Sequence, residues 1–556
     1  MVRGFFERFA TPIRGLHQAA YVLASLTLAS QALALLRDRT FASVFGASPT
    51  LDLYYAAFRI PDLVFALVAS LVSAYVLIPR IAAGTTEETK KLLSESVSFL
   101  LMAGGAICIL LGIFMPQLLA AAYPDLAASP DASSFIMLAR LLLVQPLVLG
   151  VSGIVTSVTQ VHRKFVLFAL SPVLYNVGIM FGTLVLYPQY GLTGIGTGVL
   201  VGALLHVAIH IPVLARAGVL PRLVVPRLSE LLPIMRDSIP RSLALGMGSV
   251  TAFILTACAV KVGTGSVSVF TLAGNLEAVP LSLIGASYAV AAFPALSEAS
   301  SGDNKAEFTR ILSASARHLI VWSLVALGLI VVLRAHLVRV ILGSGAFDWN
   351  ATRLTAAMLA IFTIGLVAQG LVLLFSRALY AARQSWRPLM YQILGGVVTV
   401  GLALSFLTLA GEGFPAWLAG VFRVAHVPGS GILLIALAAT IGQIFLALLS
   451  LVALSQTAPG ITALLGRPFV HGAFAAAAGG SAAYGTLALL GGIVSLTTLP
   501  AVFTQGLLAG MVGLTASAVT LRLFKNEEFS DGARALARLP GIRTILPPSA
   551  EEPAQP

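Results

Sequence analysis

A 556-residue chain that is 58% hydrophobic and 10% charged cannot cover itself with a water-facing surface, because soluble domains carry roughly 25% charged residues. The mean hydropathy of +0.95 excludes an ordinary soluble enzyme or binding module on the same ground. A net charge of +12 would suit a nucleic-acid binder, but the basic residues are sorted by membrane side rather than gathered in a patch.

Apolar runs of about 18 to 25 residues recur along the chain, each long enough to cross hydrocarbon as a helix. About fourteen are expected, centred near residues 28, 66, 105, 147, 176, 203, 250, 285, 328, 365, 399, 440, 480 and 511. The fold class expected is therefore an all-α polytopic membrane protein. Arg3, Arg8 and Arg14 precede the first run as a basic stretch along the membrane surface. That run, from about Ala19 to Leu36, is too long for a signal-peptide core and has no small-residue cleavage site, so it reads as span 1.

Charge concentrates at the end of span 1 (Arg37, Asp38, Arg39) and on span 2 (Asp52, Arg59, Asp62). An ionisable group at mid-bilayer costs about 2.5–3.5 kcal/mol, so each needs a reason. Asp52 and Arg59 are seven residues apart, two helical turns, and share a face. Groups near the interface can pair and snorkel; Arg37, Arg59 and Lys261 can instead line a cavity and hold an anion, a task that suits the arginine fork. For Arg59 the second reading outweighs the first; for Arg39 the order is reversed, and Arg140 on span 4 stands between them.

Cys108 and Cys258 lie inside apolar runs and read as small buried hydrophobes. Pro61, Pro146, Pro172, Pro280 and Pro294 fall within spans, where neighbours must satisfy the freed carbonyls. Gly194, Gly198 and Gly202 recur every four residues on span 6, which predicts close helix packing. His206 and His210 follow at i, i+4, but no acid or thiol completes a metal site, so packing is the expected role. Lys261 marks the outer end of span 7, and Asn275 and Glu277 fall on span 8.

Gly150 through Arg163 and Gly370 through Arg383 each run from mid-span into a basic loop. Their offset of 220 residues maps spans 1–6 onto 7–12 with one orientation, leaving spans 13 and 14 over. The expected division is thus residues 1–235 and 236–457 as two six-helix lobes, 458–524 as a helix pair, and 525–556 as a tail. Only Arg37, Arg39, Lys261, Arg334, Arg339, Arg353 and Arg423 fall on one side, and Arg59 and Arg140 within spans. The remainder of the 34 Lys and Arg fall on the other side, which places both termini in the cytoplasm. No hydrolase triad, Walker motif, HExxH or catalytic carboxylate pair is present. The chain reads as non-enzymatic and without cofactor, and any active transport by it must draw on membrane potential, a gradient of a monovalent cation or consumption of its product.

Arg37-Asp38-Arg39-Thr40, Phe45-Gly46-Ala47, Asp52 and Phe58-Arg59-Ile60-Pro61 follow one another in an order that resembles the MurJ-type lipid II flippases, the MviN family. Ser171 through Asn176, Asn275 through Pro280, Ala292 through Glu298, and Arg377 through Ala381 with Arg387-Pro388 continue the resemblance along nearly the whole chain. It implies a fold of the multidrug/oligosaccharidyl-lipid/polysaccharide exporter superfamily, with spans 13 and 14 forming a lipid-tail groove. It also implies alternating-access export of a polyprenyl-diphosphate-linked peptidoglycan precursor across the bacterial inner membrane, serving the cell-wall synthesis machinery. Arg37, Arg59, Lys261 and Asn275 are then candidates for cargo contact, Asp38, Asp52 and Glu277 for gating or positioning of charge, and Arg39 and Arg140 for further contacts. The sequence departs from the family where basic or acidic positions fall on Gln31, Phe65, Ala66, Ser70 and Asn275. Those departures keep two alternatives open, an exporter of another polyprenyl-linked glycan or of drugs, and a non-transporting membrane scaffold.

Overall fold

The structure, a computed structural model, describes residues 16–68, 74–409, 411, 413–491 and 498–537. The N-terminal basic stretch with Arg3, Arg8 and Arg14, Ser70, and the Pro-rich end of the tail lie outside the described residues. All regular structure among the described residues is helical. The principal helices are α1 (Leu16–Phe45), α2 (Pro49–Ala57) and α3 (Arg59–Leu67). Then come α4 (Thr86–Ile113), α5 (Ala132–Val161), α6 (Phe165–Tyr190), α7 (Leu192–Arg216), α8 (Leu228–Val262) and α9 (Ser266–Ser301). The chain continues with α10 (Lys305–Ile341), α11 (Trp349–Ile364), α12 (Leu366–Ala381), α13 (Trp386–Leu409) and α14 (Ile432–Leu454). It closes with α15 (Ile461–Gly491), α16 (Leu499–Leu523) and α17 (Glu527–Ala537).

Eleven helices among the described residues are long and apolar enough to span a bilayer, or twelve if α11 and α12, bent by 47°, form one span. These match the expected third to fourteenth spans; the count of fourteen is not confirmed among the described residues. At the expected span 2 the helix breaks at Phe58 and carries Asp52, Arg59 and Asp62 on α2 and α3. Large apolar side chains such as Ile109, Val397 and Val452 face outward, as lipid-facing residues do.

Contacts divide the chain into two units. Residues 1–276, 341–361 and 385–442 form one, and residues 277–340, 362–384 and 443–556 the other. In the first unit, α6 and α7 meet through glycine. A Cβ on Gly202 would lie 2.5 Å from the Tyr175 carbonyl oxygen, and one on Gly198 would lie 2.3 Å from Gly182 Cα. Pro172 deprives the Phe168 carbonyl of its helical donor, and the Ser171 hydroxyl donates to it instead at 2.8 Å.

In the second unit, α15 packs on α10 and α16 through Gly328, Gly479, Gly480 and Gly513. The tail helix α17 is clasped by Arg317, which donates to Glu528 at 2.5 Å and also pairs with Glu527, while Phe529 lies against Trp322.

The two repeat-matched turns are alike in backbone. Arg163 (φ 55°) and Arg383 (φ 58°) both stand in the left-handed region. Each turn closes with the same two bonds: Arg163 N to Gln160 O and Lys164 N to Thr159 O in one, Arg383 N to Tyr380 O and Gln384 N to Leu379 O in the other. Among the described residues three helices contain π turns, at Leu100–Gly104 in α4, Gly182–Leu186 in α6 and Leu281–Ala286 in α9.

Candidate functional site

The first unit gathers most of the charged side chains singled out from the sequence. The last turns of α1 carry Arg37 and Asp38. Arg37 donates through Nε (3.0 Å) and Nη2 (2.7 Å) to Asp38 Oδ1, and through Nη1 to Asn176 Oδ1 on α6 at 3.0 Å. Asp38, almost wholly buried, uses its other oxygen to accept Asn275 Nδ2 from α9 at 3.0 Å. Asn176 is held in turn, its Nδ2 donating to the Pro172 carbonyl at 2.9 Å. The fork therefore stands in a fixed frame with one proton left on each terminal nitrogen, and its side chain remains 21% exposed.

Arg59 sits at the break between α2 and α3. Its Nε donates to Thr256 Oγ1 on α8 at 2.8 Å, and that hydroxyl donates to the Ala252 carbonyl of its own helix. Both terminal nitrogens of Arg59 are left without a hydrogen-bond acceptor among the described residues. The buried Tyr55 ring lies within electrostatic range of Asp38, Arg37, Arg59 and Asp52, and its hydroxyl has no hydrogen-bond partner among the described residues. Arg37 and Arg59 thus both act on the field at Tyr55.

Asp52 does different work. Buried on α2, it accepts the Gly265 and Ser268 amides (2.6 and 2.7 Å) and the Ser268 hydroxyl (2.6 Å) at the start of α9. A carboxylate there satisfies donors that a helix start leaves open and meets the positive end of its dipole. Gly265 has φ +81°, and a Cβ there would lie 2.7 Å from the Ala47 carbonyl oxygen. Gly345, at φ +57°, approaches the Ser43 carbonyl as closely, and Ala346 N donates to that same oxygen at 2.9 Å. Side chains at either glycine would hold these turns apart. Together the contacts press the α1–α2 turn against the turns before α9 and α11.

The remaining candidates stand elsewhere. Arg39 donates to the Ile341 carbonyl at the end of α10, and the exposed Arg140 to the Gly112 carbonyl near the end of α4; both meet carbonyls that a helix end leaves open. Lys261, in the last turn of α8, is exposed. Glu277 belongs to the second unit, where it is buried and accepts Gln369 Nε2 at 2.9 Å. His206 and His210 are packed polar groups: Ser152 Oγ meets His206 Nδ1 at 2.6 Å, and Thr156 and Thr159 take both nitrogens of His210. Cys108 and Cys258 are free and buried. Among the described residues no cluster of three or more His, Cys, Asp or Glu could hold a metal ion.

Sequence reasoning missed Asn176, Thr256, Ser268 and Gln369 as partners. Asn176 had a signal, four residues after a span proline in a polar motif; a lone threonine or serine in an apolar run has none.

The sequence profile of the family described as "Lipid II flippase MurJ" matches residues 41–499. The chain is 24% identical over 410 residues to the lipid II flippase MurJ of Burkholderia cenocepacia, covering 71% of this chain and 79% of that one. It is 26% identical over 400 residues to the probable lipid II flippase MurJ of Bdellovibrio bacteriovorus, covering 69% and 76%. Among solved structures, a lipid II flippase MurJ in an inward closed conformation superposes with TM-score 0.70 at 20% identity, over 91% of this chain and all of that one. An inward-facing multidrug-resistance MATE transporter of the MOP superfamily follows with TM-score 0.62 at 18% identity, over 80% and 98%.

Proposed function

This chain belongs to the MurJ lipid II flippase family, and from that premise we propose that it moves a polyprenyl-diphosphate-linked peptidoglycan precursor across the bacterial inner membrane by alternating access. It is a multi-pass membrane transporter rather than an enzyme. The proposed orientation puts both termini in the cytoplasm, with lobes 1–235 and 236–457, helices 458–524 serving the lipid tail, and the tail 525–556 beyond them. Delivery to cell-wall synthesis machinery, and coupling to membrane potential or a monovalent cation, belong to the same reading.

The observation that carries the cargo assignment is the state of Arg59. A guanidinium at a helix break inside the span, held by one nitrogen and with two left over, suits a diphosphate that accepts several charge-assisted bonds. Arg37 supports it from a frame that Asp38, Asn176 and Asn275 complete. Lys261 would join on approach of cargo from its side, and Glu277 would hold a neighbouring helix through Gln369. Arg39 and Arg140 would contribute at the rim. Asp52 is the gating residue: outward release requires its bonds to the start of α9 to open.

The test is rescue of a flippase-depleted bacterium, with export of radiolabelled precursor followed in parallel. Wild type should restore both, and Arg59→Ala should lose both while reaching the membrane at normal levels. Full rescue by Arg59→Ala would remove that residue from the cargo path; wild type that restores neither would remove the flippase reading itself.

A further inference from the structure

Asp62 stands one turn after Arg59 on α3, on the same face, and is half-buried. It makes no hydrogen bond or ion pair among the described residues and feels Arg59 only through space. The same unit holds three buried polar atoms that likewise lack a hydrogen-bond partner among the described residues. They are the Tyr55 hydroxyl on α2, the Tyr123 hydroxyl between α4 and α5, and Gln145 Oε1 on α5. Tyr123 is within electrostatic range of Arg59 and Asp62, and Tyr175 of Asp62 and Arg37. Gln145 joins this group through Nε2, which donates to the Tyr175 hydroxyl at 3.3 Å.

These atoms differ from the orphaned hydroxyls of Ser238, Ser242 and Thr355, which sit on helices. A helical serine or threonine can turn its hydroxyl to the carbonyl one turn back. A tyrosine hydroxyl cannot reach its own helix in that way, and the Gln145 amide is already oriented by Tyr175. The Tyr123 ring packs on Phe135 and Phe253, with ring centroids 6.2 and 5.4 Å away. Buried polar atoms held like this cost stability unless a ligand pairs with them. The set is two-sided. Arg37 and Arg59 can only donate, whereas ionised Asp62 and Gln145 Oε1 can only accept. A diphosphate satisfies the first pair and offers nothing to the second.

Building on Arg59 as the diphosphate contact, we propose that Asp62 and Gln145 select cargo whose diphosphate carries a sugar over the bare polyprenyl diphosphate. Sugar hydroxyls donate where phosphate oxygens cannot, and Asp62 and Gln145 Oε1 are the acceptors that would receive them. The Tyr55 and Tyr123 hydroxyls, able to donate and accept, would fill in between. Charge adds a second criterion. A diphosphate with a free end carries more negative charge than one esterified at both ends, and the Asp62 carboxylate repels that excess. Selection therefore combines an attraction for the glycan with a repulsion of the carrier alone.

The experiment measures equilibrium binding of two radiolabelled probes to the purified full chain in nanodiscs, corrected for empty nanodiscs. One probe is farnesyl diphosphate, the other farnesyl diphosphate carrying N-acetylglucosamine. Wild type should bind the glycosylated probe about tenfold more tightly or better, the scale of one charge-assisted hydrogen bond. Asp62→Asn should bind the bare probe more tightly than wild type does and lose that preference, while Gln145→Leu should weaken the glycosylated probe alone. A merely structural role would move both probes together. Arg59→Ala should weaken both. Wild type that binds both probes equally overturns the selection and leaves the cargo reading standing; wild type that binds neither removes the cargo reading and the selection with it. A preference unchanged in both Asp62→Asn and Gln145→Leu also overturns the proposal. Should Asp62→Asn fail to fold, Gln145→Leu and the wild-type preference still decide.

Discussion

Asp52 and Arg59 share a helical face in the sequence and share nothing in their work. Asp52 is spent on three donors at the start of α9, so its removal orphans two buried amides. An unpaired buried group costs roughly 1–3 kcal/mol. In the proposed orientation the turns that Asp52 holds face outward, so Asp52→Ala should loosen them, which a cysteine placed at Ser43 would report as faster labelling by an impermeant maleimide from outside. Unchanged labelling would mean that the turns hold without the clamp. Arg59, by contrast, has unspent donors, and its loss should cost transport rather than packing. The sequence assigned Arg59 to cargo contact and Asp52 to gating or positioning of charge; what it did not show is that Asp52 is bonded to the start of α9 and Arg59 to Thr256. Asn275 shows the converse: it falls where the family resemblance implies a charged position, yet here its amide steadies Asp38 and through it Arg37. A polar-for-basic replacement is read from sequence as a loss, while in three dimensions it becomes a support for the arginine that remains.

At the scale of helices, the four-residue glycine spacing on α7 was legible because backbone contact leaves no other residue type room. Gly202→Ala would drive a methyl into the Tyr175 carbonyl at 2.5 Å. Overpacking of this kind costs about 1–3 kcal/mol, so thermal unfolding in detergent should fall by several degrees. Gly105→Ala, with nothing within 4 Å of its Cβ, should leave it unchanged. Equal effects would mean that propensity rather than contact sets the outcome. The spans after the second were equally legible, since hydrocarbon thickness dictates their length whatever they pack against. Span 2 was not, because its break at Phe58 answers to tertiary partners of Asp52 and Arg59, residues more than two hundred positions away for the first. The anchoring of the short helix α17 at Arg317 was not legible, because its partners lie some two hundred residues apart in the chain.

For the molecule as a whole, the alternating access proposed above requires that the turns clamped around Ser43 part. Ser43 and Ala346 are joined by a backbone bond of 2.9 Å, and Gly345 lies against the same carbonyl. A disulfide between cysteines at Ser43 and Ala346 should abolish precursor export under oxidising conditions and release it on reduction, measured in cells lacking other flippases. Export that continues with the cross-link fully formed would exclude opening at these turns. The family was legible from motif order, and the chemistry of cargo contact was not, because an arginine's availability depends on which of its protons the fold has already claimed.

The π turns carry a consequence for inherited change. A wide turn stores one residue more than the helix needs, so α4, α6 and α9 each hold a spare. Losing a residue elsewhere in a span rotates everything beyond it by about 100° and turns lipid-facing carbons inward. Losing Met102, inside the wide turn of α4, lets the helix tighten with both flanks keeping their bearings. A library of single-codon deletions should therefore show survivors clustered at Leu100–Gly104, Gly182–Leu186 and Leu281–Ala286, with deletion of Ile107 among the dead.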